Sequence, residues 1–316
     1  MPVNFLTPEQ IAQYGHCAGE PTPMQLAKHF HLDDGDRQIM TTLDKAHTKL
    51  GFVVQLATAR FLGTFLTDLK EVPPVVFEYL AVQLQLDAAA WHDYGKRSKR
   101  RHRKMICRLY HYQDFHKSQL PFSLMRQLFA RAALTQESHL VLFDHATAWL
   151  VQHKVLLPGA RVLERWVARI VSRAQQRLWQ RLWKRVNQEQ RDRLQSLLIM
   201  DEGERFSRLE LLRRPATRSS SPTIKHSLYR LARVRAVGVS DIDLTGIATG
   251  HINAMARYGL SVWAAALEDL GETHRLAVLL VTAHELEAII QDEVLDLMLL
   301  NVAEKFRTCL LYTSPS

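Results

Sequence analysis

The densest group of side chains that could do chemistry is a run of positive charge. Seven of nine consecutive residues are Lys or Arg, and no Asp or Glu lies between Asp93 and Asp114. The seven are Lys96, Arg97, Lys99, Arg100, Arg101, Arg103 and Lys104. Aromatic and imidazole side chains lie nearby, at Trp91, His92, Tyr94, His102, Tyr110, His111 and Tyr112. Lys and Arg neutralise phosphates while Tyr and His donate further hydrogen bonds to them, so the run predicts contact with a nucleic-acid backbone. The alternative is a charge run that only faces solvent.

A second set of arginines recurs at every fourth residue from Arg161 to Arg185, and no carboxylate lies between Glu164 and Glu189. Residues four apart on a helix advance by about 40°, so six steps turn the set by about 240° around the axis. These arginines therefore cannot form one flat face. The helix must either wind its charge around a partner or contact different neighbours at its two ends. The predicted DNA-binding set accordingly also includes Arg108, Lys117, Arg165, Arg169, Arg173, Arg177 and Arg181. Trp166, Trp179 and Trp183 lie on the same segment and are predicted to anchor a core, because Trp buries a large apolar area.

The sequence carries no convincing catalytic or metal-binding motif. His284 and Glu285 begin a zinc-protease pattern, but Ala288 stands where its second His is required. The three cysteines are scattered, and phosphate-binding and dinucleotide-binding glycine patterns are missing. The acids at Asp33, Asp34 and Asp36 are typical of a helix start. We therefore expect a chain without catalytic activity, bound metal or cofactor.

Charge is unevenly distributed along the 316 residues, although the net charge is only +9. Residues 1–95 hold 6 Lys and Arg against 11 Asp and Glu, residues 96–220 hold 27 against 10, and residues 221–316 hold 8 against 11. A basic middle third indicates a polyanionic partner. No apolar run approaches the roughly 18 residues that span a membrane, and the N-terminal residues lack the basic-then-apolar pattern of a secretory signal, so a cytoplasmic protein is expected.

Composition and periodicity predict an all-α fold. Gly and Pro are scarce, at 13 and 11 residues, and strand-like alternation is not convincing anywhere. Thr7 and Thr22 each precede a Pro, as at helix starts. The predicted helices span 8–14, 23–30, 34–43, 47–66, 74–84, 97–110, 122–153, 161–185, 224–237, 248–258, 261–270 and 272–306. The Ser-rich segment at 215–223 is a predicted linker.

Several segments resemble the N-terminal region of the Tn-three family of replicative (class II) transposases. They are LTPEQ (6–10), PTPMQLAKHFHLDD (21–34), LGFVVQLATARFLGTFL (50–66), VPPVVFEYLAVQL (72–84), WLVQHKVLLPGARVLERWVAR (149–169), LLRRPATRSSSP (211–222), ARYGLSVWAAAL (256–267) and HRLAVLLVTAHELEAIIQDEVLDLM (274–298). The similarity covers nearly all of residues 5–306, in order. The basic GKRSKRRHRKM stretch at 95–105 departs from it, because the family tends to carry mixed Arg and Glu there.

The resemblance implies a helical region that binds double-stranded DNA at the terminal inverted repeats of a transposon. Cleavage and strand transfer, with a divalent metal such as magnesium, are expected only in an RNase H-like domain of a longer parent protein, through which a homodimer could form. The expected organisation is a DNA-binding region at 1–158 (subdomains 1–92 and 93–158), a basic helical connector at 159–214, the linker, and a C-terminal helical bundle at 224–307. Residues 308–316 resemble the translation of a sequencing adapter. The alternative function is a non-catalytic helical scaffold or RNA-associated interaction protein.

Overall fold

A computed structural model describes residues 4–17, 19–216 and 220–312, and it confirms the all-α prediction. The chain divides into two compact units, which we treat separately. Unit 1 comprises Met1–Ala130 and Glu137–Val171, and unit 2 comprises Arg131–Gln136 and Ser172–Ser316. The boundaries predicted at 158 and 214 stay predictions.

Nine helices are found in the first 183 residues, within the described ranges. They are α1 (Pro8–Gln13), α2 (Pro23–His29), α3 (Asp34–Thr41), α4 (Ala46–Leu62), α5 (Pro74–Leu84), α6 (Lys96–Leu109), α7 (Leu120–Leu134), α8 (His139–Gln152) and α9 (Ala160–Trp183). Short 3-10 turns occur at Leu69–Glu71 and Ala88–Asp93.

The predicted helix starts are confirmed by their caps. The hydroxyl groups of Thr7 and Thr22 accept hydrogen bonds from backbone amides three residues on, and a Pro follows each. Asp33 caps α3 in the same way and Asp36 completes the capping box, so the acidic run is a helix start as expected.

One expectation about the region after α6 was wrong. The single helix predicted over 122–153 is broken after Leu134, and α8 starts anew because the Ser138 hydroxyl accepts a hydrogen bond from the Val141 amide. Two strands also exist, β1 (Gln113–Asp114) and β2 (Val155–Leu156), which pair in parallel with Gln113 opposite Val155. Each has only two residues, so neither could show an alternating pattern.

Helix α4 forms the centre of unit 1, where nearly every side chain from Leu50 to Ala59 is buried. Helices α2, α5 and α6 pack against it. Gly51 of α4 lies directly under the Tyr94 ring, and a Cβ at that position would come within 3.0 Å of the ring atoms. The glycine therefore allows the segment before α6 to reach the central helix.

Unit 2 is built around a long C-terminal helix. Its other helices are α10 (Gln188–Ser196), α11 (Arg208–Leu212), α12 (Ser221–Arg235), α13 (Thr249–Ser261) and α14 (Ala264–Glu268), and the long one is α15 (Glu272–Tyr312). Residues from Leu276 to Val281 of α15 are buried on all sides, and α12 and α13 pack against that helix. The Arg230 guanidinium on α12 bonds to the Glu293 carboxylate of α15 at 2.7 Å, so this buried charge is paired.

The linker predicted at 215–223 is shorter than expected, because Ser220 caps α12 and Ser221 to Thr223 are helical. Residues 217–219 of that segment lie outside the described residues. Helix α15 continues past its predicted end at 306 to Tyr312, and residues 313–316 of the tail predicted to derive from an adapter also lie outside the described part.

Candidate nucleic-acid interface

Helix α6 presents one face of exposed cations to solvent. Lys96, Arg97, Arg100, Arg101, Lys104 and Arg108 are all exposed. The first five line a shallow depression on the surface. Their spacing confines the six to about 140° of the helix circumference. Among the described residues, none of the six has a carboxylate within ion-pair distance. The face therefore carries uncompensated positive charge.

Two cations of the predicted set turn towards the protein instead. The Lys99 ammonium donates a hydrogen bond to the Thr67 carbonyl, and the Arg103 guanidinium donates to the Leu66 carbonyl. Arg103 Nε also donates to Gln55 Oε1 at 3.2 Å. Partial burial lowers the pKa of both side chains. These two residues tie α6 to the segment that follows α4, and less of their charge faces outward.

The inner face of α6 is fixed by a chain of hydrogen bonds. Gln55 Nε2 donates to the Tyr94 hydroxyl, and that hydroxyl is hydrogen-bonded to His102 Nδ1 at 2.8 Å. The His102 Nε2 atom is buried without a partner among the described residues. Burial, with a smaller contribution from the nearby Arg101 cation, lowers the pKa of His102 to about 4. A neutral imidazole therefore packs beneath the charged face.

Helix α9 carries the second group of cations, and its arginines have different partners along its length. In unit 1, Arg165 and Arg169 are exposed. In unit 2, Arg173, Arg177 and Arg181 are exposed, and no ion pair joins them to a described residue. At the two ends of the set, the arginines bond to other residues of the chain. Arg161 pairs with Glu164 at 2.8 Å, and Arg185, two residues past the end of α9, donates to the Asp243 and Thr245 carbonyls.

Glu164, an acid within α9, cannot neutralise the neighbouring arginines because it is fully buried and occupied. Its Oε1 atom accepts hydrogen bonds from the Phe5 and Leu6 amides, both at 2.8 Å, and its Oε2 atom accepts from Arg161. Burial alone would raise the pKa of this carboxyl, but the bonds from the two amides and from Arg161 outweigh it and lower the pKa. Phe5 and Leu6 are thereby fastened to α9.

The tryptophans of α9 differ from one another. Trp179 and Trp183 pack against the core of unit 2, as predicted. Trp166 does not join either main core, and this prediction was wrong. It is half-buried and lies edge-to-face with Phe115, with 5.6 Å between ring centroids, on the wall of an open cavity. The parallel pairing of β1 with β2 brings Phe115 to this helix.

Lys117, the remaining predicted contact, is exposed on the turn after β1. Its amide donates to the Asp114 carbonyl at 3.1 Å, and the Asp114 carboxylate accepts from the His116 amide at 2.9 Å. Phe122, which the sequence reasoning did not select, is 66% exposed at the start of α7.

Neither a metal centre nor a membrane span is found in the part of the chain that the structure describes. No three His, Cys, Asp or Glu side chains there are grouped so that they could hold a metal ion. No described helix is long and apolar enough to cross a bilayer.

The chain is similar in sequence to known proteins. A family model described as a domain of unknown function, DUF4158, matches residues 5–170. The transposase for transposon gamma-delta of Escherichia coli (strain K12) is 39% identical over 308 residues, which cover 96% of this chain and 31% of that protein. The transposase for transposon Tn1546 of Enterococcus faecium is 24% identical over 312 residues, with the same coverage of 96% and 31%. The transposase for transposon Tn501 of Pseudomonas aeruginosa is 27% identical over 279 residues, 86% of this chain and 28% of that protein. The chain thus spans about a third of the length of these curated relatives.

Proposed function

Because the chain belongs to the DUF4158 family and is homologous to transposases of the Tn-three family, we propose that it binds duplex DNA at the terminal inverted repeats of a transposon. The observation that carries this proposal is the exposed face of α6, where six cations have no acidic partner among the described residues. Such a face attracts a polyanion, and the relatives are transposases, whose substrate is DNA.

The geometry of α6 suits contact with the DNA backbone. A helix of 14 residues is about 21 Å long, which is enough to run past several successive phosphates. Its Lys and Arg side chains would displace counterions from those phosphates and so hold the duplex in place without reading its sequence. The neutral His102 and the buried Ile106 beneath them keep the helix docked on unit 1.

The exposed arginines of α9 supply further contacts in the proposal. Arg165 and Arg169 act in unit 1, and Arg173, Arg177 and Arg181 act in unit 2. Lys99 and Arg103 take a positioning role, because their hydrogen bonds go to carbonyl groups of the chain itself. Cleavage and strand transfer, and the divalent metal that they require, we assign to the part of a longer parent protein that this chain does not cover.

The test is the salt dependence of binding to a duplex that carries the inverted repeat. Affinity should fall on a log–log plot against salt with a slope near −0.9 for each phosphate neutralised. The triple variant Arg97→Ala, Arg100→Ala, Arg101→Ala should make that slope shallower by up to about three units and weaken all duplexes alike. Preference for the inverted repeat should survive.

A matched triple variant removes the same charge elsewhere. Arg126, Lys225 and Arg257 are exposed and lie outside α6 and α9. Their replacement by Ala should leave the slope unchanged. Equal effects of the two triple variants would refute the assignment to α6, because general charge would then explain binding. If the unmodified protein shows no preference for any DNA sequence, the scaffold alternative is favoured instead.

A further inference from the structure

An open cavity of about 480 Å³ lies in unit 1 between the β1–α7 segment and the first turns of α9. Its size is within the range of pockets that bind small organic groups. Phe115, His116 and Phe122 line it from one side, and Arg165, Trp166 and Arg169 line it from α9.

The walls of the cavity are aromatic and partly uncovered. Phe122 is 66% exposed, so its ring is open to a group that enters the cavity. Phe115 lies edge-to-face with Trp166 and also with His116, at 5.6 and 5.4 Å between ring centroids. These rings offer surfaces on which a flat aromatic group can stack.

The rim of the cavity is cationic. The guanidinium groups of Arg165 and Arg169 are exposed, and Arg165 uses only its Nε atom, which donates to the Arg161 carbonyl at 3.1 Å. Glu164, the acid next to Arg165 in sequence, is already bonded to Arg161 and to the start of the chain. The rim therefore favours an anion attached to the aromatic group.

A nucleotide carries a flat aromatic base and a phosphate, which match these walls and this rim. Resting on the DNA binding proposed above, we propose that this cavity holds an unpaired, unstacked nucleotide of DNA. The base would stack on Phe122 and Trp166, and its phosphate would contact Arg165 and Arg169. A base inside an intact duplex presents only its edges to a protein, so the nucleotide must lie outside the helical stack.

The experiment compares two duplexes of the same sequence, one fully paired and one with a single extra 2-aminopurine nucleotide bulged from one strand. The protein should bind the bulged duplex about tenfold more tightly and should quench the fluorescence of the 2-aminopurine. Phe122→Ala should abolish both the preference and the quenching while affinity for the paired duplex stays the same, and Phe122→Trp should retain them.

Met24→Ala is the matched control, because Met24 is an 80% exposed apolar side chain on α2 and does not line the cavity. It should leave the preference intact. Equal affinity of the unmodified protein for both duplexes would overturn this inference while leaving the proposed function standing. Failure to bind either duplex would overturn the proposed function itself. A Phe122→Ala protein that still prefers and quenches the bulge would place the nucleotide elsewhere.

Discussion

Acidification should weaken the docking of α6 through one residue, His102. Its pKa is about 4 in the folded protein, against an ordinary value of 6.5. The imidazole is therefore neutral when folded, whereas the unfolded chain takes up a proton below about pH 6.5. The contribution of neutral His102 to the free energy of unfolding is fully present above about pH 6.5. It decreases as the pH falls and stops changing below about pH 4. The two pKa values give a loss of about 2 kcal/mol at pH 5 and about 3 kcal/mol in the limit.

Hydrogen–deuterium exchange of the α6 amides measures this effect in the helix concerned. That choice matters because a chain of two units need not unfold in a single step. The pKa values of His29, His139 and His274 are also lowered, so these residues also reduce the stability of the folded protein as the pH falls. The measured quantity is therefore the difference between the unmodified protein and His102→Gln, which keeps a polar group near Tyr94 but does not titrate.

Between pH 8 and pH 5 the opening free energy of α6 should fall by about 2 kcal/mol more in the unmodified protein than in His102→Gln. An NMR titration provides an independent check, because the His102 ring signals should not move near pH 6.5. The reasoning is refuted if the two proteins show the same pH dependence, or if His102 titrates with an ordinary midpoint.

Two further variants test contacts in unit 1. Gly51→Ala should lower the free energy of unfolding by about 1–3 kcal/mol, because its Cβ would collide with the Tyr94 ring. Gly95→Ala, where a Cβ meets nothing within 4 Å, is the control, and equal thermal shifts for both would contradict the packing argument. Glu164→Gln should loosen the start of the chain, since the amide nitrogen would face Arg161, and limited proteolysis near Leu6 should be faster. Because the folded pKa of Glu164 is lowered, the unmodified contact should persist as the pH falls to the usual range of a Glu and be lost only below it; release at pH 6 would disprove this.

The sequence was sufficient to predict α6 because charge and helical period are local properties. The run from Lys96 to Lys104 and its buried partners His102 and Ile106 lie within a single helix. At about 100° per residue, Lys99 and Arg103 lie beside that buried pair on the helix circumference. This was a signal in the sequence that they border the inner face. Their acceptors, however, are carbonyl groups after α4, more than 30 residues away in the chain. No local pattern specifies that approach.

The cavity beside Trp166 could not be predicted either, because it depends on a contact between segments that are far apart in the sequence. It exists because Gln113 pairs with Val155, which brings the β1–α7 segment onto α9. From spacing alone Trp166 is indistinguishable from Trp179 and Trp183, since all three lie on an amphipathic helix. What separates them is whether another segment covers the ring, and that is decided by tertiary pairing rather than by propensity.

The surroundings of the arginines from Arg161 to Arg185 could be predicted in part from helix geometry alone. A spacing of four turns the set by about 240°, so its members must have different surroundings. That consequence is observed within the described residues: Arg161 pairs with Glu164, Arg185 bonds to two carbonyls, and the five between them are exposed. The first and last are fixed because the chain folds back on α9 near each, through Leu6 at one end and Asp243 at the other.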